Sequence, residues 1–142
     1  MGKPILQFTV PGKPQPQLRA RFVRFGKGVR TYDPAKCKAA KKTISEVAVM
    51  TAYDKGITEP VAGPLSVDLI FSMPIPKSVK AASGDKHIKK PDLDNLVKLV
   101  LDAITDSGAI WHDDSQIVAI TAHKMYCTRP QTWVCITQED LS

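Results

Sequence analysis

Residues 91–104 read PDLDNLVKLVLDAI, and their apolar side chains recur every three or four positions. Spacing of this kind places one apolar stripe along an α-helix and leaves the polar residues on the other side. The pattern therefore predicts a helix that starts after Pro91, buries its stripe and ends near Gly108. The stripe consists of Leu93, Leu96, Val97, Val100, Leu101 and Ile104.

Apolar residues at every second position predict strands on both sides of this helix. The alternation covers the four segments Leu6–Val10, Leu65–Met73, Val118–Tyr126 and Trp133–Thr137. Only a short turn through Arg129-Pro130 separates the last two, so we expect them to form an antiparallel hairpin.

A further helix is predicted between Asp33-Pro34 and Gly56. Asp33 is expected to cap its first turn, with Pro34 in the first helical position. The sequence shows no internal repeat and no second apolar core. We therefore expect residues 1–142 to form a single α+β domain, with a mixed sheet of about four strands and two main helices packed on it.

The composition is that of an ordinary globular protein. The 142 residues are 43% hydrophobic and 24% charged, which excludes a fibrous or wholly disordered chain. No apolar run approaches the ~20 residues of a membrane helix, and no signal-like apolar core follows Met1-Gly2-Lys3-Pro4. Cys37, Cys127 and Cys135 form an odd set without a C-x-x-C pair, which predicts free thiols. These features favour a soluble protein of the reducing cytoplasm.

Positive charge is concentrated in the first fifty residues. Residues 1–50 carry eleven Lys and Arg against two acids, a net +9, whereas residues 51–142 carry a net −3, which gives +6 in total. A basic half predicts a polyanionic partner, because each Lys or Arg that neutralises a phosphate releases counterions. A basic surface that is merely solvated is the alternative.

Two basic loops are the predicted contacts for this polyanion. The segment from Pro11 to Tyr32 is longer than an ordinary connection, and such loops are usually functional or disordered. The segment from Lys77 to Lys90 is predicted to be a mobile basic loop. The residues that we assign to nucleic-acid binding are Arg19, Arg21, Arg24, Lys89 and Lys90.

Asp92 and Asp94 stand two positions apart, where an extended approach becomes a helix. Pro91 keeps Lys90 out of helical geometry, and an extended D-x-D directs both carboxylates to one side. Mg²⁺ prefers hard oxygen ligands and commonly takes one or two carboxylates, with water and substrate phosphate in the other positions. The pair therefore predicts a magnesium site.

A third carboxylate is available downstream, at Asp113 or Asp114. It can join the pair only if it lies on the strand beside the N-terminal end of the helix. Each acid also has a structural explanation, as a helix cap, as a surface pair of Asp94 with Lys98, or as a turn residue. Together, in a chain with a basic half, the acids favour a magnesium-dependent site that acts on phosphodiesters.

The same residues resemble a known family, the RusA-type Holliday junction resolvases of bacteria and phages. The resemblance rests on Pro91–Lys98 with Leu101–Ala103, on Gly108, Trp111 and Asp113–Gln116, and on Val10–Pro14, Arg19–Phe22 and Tyr32. It implies a RusA-like α+β subunit that dimerises and resolves four-way DNA junctions with Mg²⁺, by paired symmetric nicks, in recombination and repair.

The resemblance also implies roles for individual residues. It places the metal-binding aspartates at Asp92, Asp94 and Asp114, and an essential lysine at Lys98, with Asp113 as a less certain neighbour. Two other functions remain open on the sequence. A metal-dependent nuclease for flaps or RNA would use the same acids, and a non-catalytic nucleic-acid binding module would need only the basic loops.

Overall fold

The computed structural model describes residues 2–141, so that Met1 and Ser142 of the predicted domain lie outside the described residues. Four strands form a mixed sheet in the order β1-β6-β4-β5, two more form a separate ribbon, and two helices cover one face of the sheet. The predicted α+β class is confirmed. In chain order the elements are β1 (Lys3–Pro11), β2 (Arg21–Phe25), β3 (Gly28–Tyr32), α1 (Ala35–Asp54), β4 (Leu65–Met73), α2 (Leu93–Ser107), β5 (Ile117–Tyr126) and β6 (Gln131–Gln138).

A continuous apolar core lies between the helices and the sheet. Of the predicted α2 stripe, Leu96, Val100 and Ile104 are buried, whereas Leu93, Val97 and Leu101 are half-buried. The buried face is centred nearer Leu99 and Ala103, which the predicted stripe did not include. Each fully buried large side chain stabilises the fold by about 1.5–3 kcal/mol. Trp111 is also fully buried, and its indole Nε1 donates a 2.8 Å hydrogen bond to Thr105 Oγ1. No helix within residues 2–141 is long and apolar enough to cross a membrane.

The predicted cap of α1 is wrong. Pro34 holds the N-cap position, and Asp33 accepts a hydrogen bond from Lys41 Nζ at 2.8 Å and a weaker one from Gln17 Nε2 at 3.3 Å. The bond from Lys41 lowers the pKa of Asp33. Asp33 therefore ties the segment before β2 to the side of α1. At α2, Gly108 ends the helix with a left-handed φ of 64°, as the sequence predicts.

The predicted hairpin of the last two strands is also wrong. β5 runs parallel to β4, whereas β6 is antiparallel to both β1 and β4 and lies between them. The reason is the strand–helix–strand order of β4, α2 and β5, because a helical crossover returns the chain parallel to the first strand. The turn at Arg129-Pro130 then carries the chain past β4 into the gap beside β1.

The first basic loop contains structure that the sequence did not indicate. β2 and β3 pair as a hairpin around Gly26-Lys27, with Gly26 at a φ of 59°. Glycine at the first of two turn positions is typical of a type II′ turn. All ten strand residues are exposed, so neither face shows the apolar alternation that predicts a strand.

The second basic loop is partly fixed on the outer side of β5. Gly84 N donates to Tyr126 O at 2.8 Å, Tyr126 N donates to Asp85 O at 2.8 Å, and His87 N donates to Lys124 O at 3.3 Å. These bonds cover the outer edge of β5 at its C-terminal end, over residues 124–126. The loop that was predicted to be mobile is therefore held at its end, directly before α2.

Candidate active site

Asp92 and Asp94 lie at the N-terminal end of α2 with exposed carboxylates. Asp92 occupies the N-cap position without a side-chain cap bond, and its Oδ1 instead accepts a 2.9 Å bond from Lys90 Nζ. Asp94 Oδ1 accepts a 3.0 Å bond from the backbone N–H of Asn95. A capping role therefore does not explain Asp92, and both carboxylates can reach a cation in solvent.

Lys98 lies one helical turn after Asp94, on the same exposed side of α2. Its Nζ is 3.6 Å from Asp102 Oδ2, the next carboxylate along the helix. The expected alternative, a surface pair of Lys98 with Asp94, is absent from the described residues. The Lys98 side chain is 62% exposed, and its weak pair with Asp102 leaves the ammonium able to approach a phosphate.

Asp113 and Asp114 lie beyond the other end of α2. Asp113 caps a short 3₁₀ turn over residues 114–116, where its Oδ2 accepts from Ser115 N at 3.3 Å. This contact with Ser115 lowers the pKa of Asp113. Gln116 Oε1 completes the capping box by accepting from Asp113 N at 3.1 Å. A turn role explains Asp113, whereas the neighbouring Asp114 is exposed.

The structure does not bring Asp114 to the pair at Asp92 and Asp94 within one subunit. The 15 residues of α2, which lie between Asp114 and the acid pair, span about 22 Å. The length of β5 gives a similar separation, because this strand extends ~23 Å from Ile117, next to Asp114, to Lys124, near the acid pair. Lys124 marks the far end, where its Nζ donates 2.7 Å bonds to the carbonyls of Lys89 and Pro91. Within residues 2–141, no three His, Cys, Asp or Glu side chains are placed to share a metal ion.

A basic groove runs along the start of α2, past Asp92. One part is a cavity of about 640 Å³ that holds Asp92 and Asn95, and the next part, of about 680 Å³, holds Lys98. Gln17, Leu18 and Asn95 line both, and Gln17 N fixes the junction by donating a 2.9 Å bond to Asn95 O. The cations along the groove are Lys13, Lys36, Lys90, Arg19, Lys41 and Lys98.

The predicted nucleic-acid contacts are divided between this groove and the hairpin. Arg19 lines the groove, and Arg21 and Arg24 stand on the exposed strand β2. Lys90 lines the groove but is paired with Asp92, and Lys89 is exposed beside it. Sequence reasoning gave no individual site role to Lys13, which lies in the first basic loop, or to Lys36, for which the only signal was the charge imbalance between the two halves of the chain.

Comparison with known proteins identifies the family of this chain. The family model described as Endodeoxyribonuclease RusA matches residues 11–137. The chain is 37% identical to "Uncharacterized protein YqaN" of Bacillus subtilis strain 168, over 94% of this chain and 96% of that protein. It is 28% identical to "Crossover junction endodeoxyribonuclease RusA" of Escherichia coli K12 and to that of Enterobacteria phage 82, over 82% of each chain. The chain therefore belongs to the RusA endodeoxyribonuclease family.

Proposed function

We propose that this protein is a Mg²⁺-dependent endodeoxyribonuclease that resolves four-way DNA junctions in recombination and repair, with residues 1–142 as one catalytic domain. The observation that carries the proposal is the exposed pair Asp92 and Asp94 at the start of α2, of which Asp92 lines a groove with cations in its walls. The curated relatives in Escherichia coli and phage 82 are named crossover junction endodeoxyribonucleases, which supports the choice of substrate.

The donor set fits magnesium. Asp92 and Asp94 present hard oxygen atoms to open solvent, which leaves room for the waters and the substrate phosphate that Mg²⁺ retains. The bound ion would supply a Lewis acid and an activated water for attack on phosphorus. Lys13 and Lys36 would hold the DNA backbone in the groove, and Lys98 would offset negative charge on the reacting phosphate.

A homodimer is proposed because β5 has a half-covered edge. Within residues 2–141, the loop before α2 covers this edge only at residues 124–126. Over residues 117–122 the outer backbone groups have no neighbouring strand, and Val118 and Ile120 are 64% and 46% exposed. A free edge with apolar side chains is suited to pairing with another strand.

A second copy of the chain fits this edge on a two-fold axis. The bonds at Lys124 and Tyr126, with the regular pairing of β5 to β4 from Ala119 onward, indicate that even-numbered residues from Ile120 to Tyr126 direct their backbone outward. Antiparallel pairing about Ile120 would then set Val118 opposite the partner's Ala122. The chain before the partner's β5 would run toward Lys89–Asp92, and would bring the partner's Asp114 to the pair at Asp92 and Asp94.

Such a dimer would bring together the three aspartates Asp92, Asp94 and Asp114, which do not meet within one subunit. Each of its two sites would take Asp92, Asp94 and Lys98 from one chain and Asp114 from the other. Two sites related by a two-fold match the symmetry of a four-way junction, in which two equivalent strands are nicked.

The test of the function is a comparison of four substrates: a four-way junction, a flap, a linear duplex and a structured RNA. With Mg²⁺ we expect paired symmetric nicks in the junction alone, and with EDTA we expect none. Faster cleavage of the flap or the RNA would make the protein a nuclease of another specificity. Junction binding without Mg²⁺-dependent cutting would make it a binding module.

We expect the arginines of the first basic loop to supply general DNA affinity. Replacing Arg19, Arg21 and Arg24 together by Ala should weaken binding to every DNA substrate, since phosphate contacts carry no sequence information. The dependence of log K on log salt should flatten by roughly 0.9 for each phosphate that an arginine no longer neutralises. Fluorescence anisotropy over a salt series measures both effects.

The matched control removes the same charge elsewhere, by replacing Lys3, Lys55 and Arg129, which are also exposed. The control should retain the salt slope of the wild type. An unchanged slope in the arginine variant would show that the hairpin has a structural or dimer role instead.

A further inference from the structure

The hairpin of β2 and β3 begins at the rim of the basic groove. Arg19 and Ala20 line the groove, and Arg21, the next residue, starts β2. The base of the hairpin is fixed, because Gln17 Nε2 before β2 donates a 3.3 Å hydrogen bond to Asp33 Oδ1 after β3. A DNA strand whose phosphates follow the groove is therefore within reach of the hairpin.

Two aromatic rings stand on opposite faces of this hairpin. Phe22 and Phe25 lie three positions apart on β2, and successive side chains of a strand point to opposite faces. Phe22 is 74% exposed and Phe25 is 61% exposed, and three neighbouring apolar residues, Val23, Val29 and Tyr32, are exposed as well. Contiguous apolar groups of this size on a surface mark a site that binds a partner.

The charge of the hairpin indicates which partner fits the two rings. Its charged residues are Arg21, Arg24, Lys27 and Arg30, and none of residues 21–32 is acidic. The guanidinium carbon of Arg30 lies 4.1 Å from the centre of the Phe25 ring, so that cation and aromatic ring form one surface. A second copy of this hairpin would be repelled by like charge, whereas a polyanion would be attracted.

DNA with interrupted stacking is the polyanion that also fits the rings. A continuous duplex presents phosphates and base edges, but the flat faces of its bases are covered by the neighbouring bases. At a branch point the stack of each arm ends, and the face of its last base becomes available. Aromatic side chains stack on such faces without regard to sequence, while nearby cations hold the phosphates.

We propose that the hairpin is a wedge that enters the branch point of the junction, where Phe22 and Phe25 stack on the last bases of two neighbouring arms and keep these arms apart. The opposite faces of the hairpin give each ring a different arm. The inference rests on the proposed nuclease function, for which it supplies a physical reason to prefer branched DNA to duplex. Apolar side chains of other DNA-binding proteins open the stack of bases in a similar way.

The first experiment compares DNA affinity without cleavage, in Ca²⁺, for a four-way junction and a linear duplex of the same sequence. With Phe22→Ala and Phe25→Ala combined, we expect junction affinity to fall by roughly thirtyfold or more, the lower limit for losing two stacked bases. Duplex affinity should stay within about twofold of the wild type, because a duplex offers the rings no free base face. The salt slope of junction binding should not change, because no charge is removed.

Two matched variants accompany this measurement. Phe22→Trp with Phe25→Trp keeps an aromatic face at both positions, so junction affinity should stay within about threefold of the wild type. Met50→Ala with Tyr53→Ala removes exposed apolar side chains of α1 instead, and should change neither affinity. Every variant should keep the wild-type mass in light scattering, because the wedge does not hold two copies of the chain together.

The second experiment places 2-aminopurine, whose fluorescence rises when it loses a stacked neighbouring base, at the branch point of the junction. The wild type should raise this fluorescence, and the Ala double variant at saturating concentration should lose most of the rise. An unchanged junction affinity, an equal loss of duplex affinity or a changed mass in the Ala double variant would overturn the wedge. Absence of cleavage by the wild type, with the ring-dependent preference for the junction intact, would overturn the proposed nuclease and leave the wedge in place.

Discussion

Replacing Asp92, Asp94 or Asp114 by Asn will lower the rate of junction cleavage by roughly a thousandfold, about 4 kcal/mol of barrier, and leave the affinity for the junction equal or higher. The rate falls because each variant loses an oxygen ligand whose charge holds the metal. The affinity does not fall, because removing a negative charge cannot weaken attraction to phosphate. Gel shifts in Ca²⁺ and cleavage in Mg²⁺ measure the two effects separately.

Asp106→Asn is the matched control for these variants. Asp106 is an exposed aspartate on α2 but far from the start of the helix, so its variant should cut at the normal rate. Loss of junction binding in all three acid variants would contradict the metal role. A normal rate in Asp114→Asn alone would remove Asp114 from the site.

Mixing two inactive variants tests whether the site is shared between subunits. If Asp92 and the partner's Asp114 form one site, a mixed dimer of Asp92→Asn and Asp114→Asn has one site with both defects and one intact site. Random mixing makes half of the dimers mixed, so about a quarter of wild-type nicking should return. If each site came from one chain, every site would carry a defect and the mixture would stay inactive.

Lys98→Ala will slow single-turnover cleavage by about a hundredfold at saturating junction, without loss of DNA affinity. The compact ammonium would stabilise charge that develops on the phosphate only in the transition state. Lys98→Arg should rescue poorly, because a planar guanidinium replaces a point charge. Quenched-flow cleavage by folded protein measures these rates.

The control for the Lys98 variants is a substitution of Asp102, the residue that forms the ion pair with Lys98. Asp102→Asn breaks the same exposed pair but keeps the ammonium, and such pairs stabilise a helix by only about 0.3–0.5 kcal/mol. Its turnover should stay near normal. A Lys98→Ala rate within about threefold of the wild type would show that Lys98 is a surface residue.

The helices were predictable because each shows its apolar side in the local sequence. The order of the strands was not, because pairing depends on the crossover through α2 and not on the short turn at Arg129-Pro130. β2 and β3 were missed because a hairpin exposed on both faces has no apolar period. These errors concern long-range pairing and solvent-exposed backbone.

The acid pair was predictable because Pro91 marks the point where an extended chain enters a helix. The position of Asp114 was not, since it depends on how far α2 carries the chain before β5 begins. The cations Lys13 and Lys36 reach the groove from distant parts of the sequence.

The 2.9 Å ion pair of Lys90 with Asp92 would couple the binding of the proposed metal ion to the binding of DNA phosphate. A phosphate that attracts Lys90 frees the carboxylate for a metal ion, and a metal ion on the carboxylate frees Lys90 for the phosphate. Linkage requires each ligand to raise the affinity for the other by the same factor. The side chains are 85% and 52% exposed, and such pairs are worth at most ~1 kcal/mol, which limits the factor to about five. The groove would therefore take up the proposed metal ion more readily when DNA is already bound.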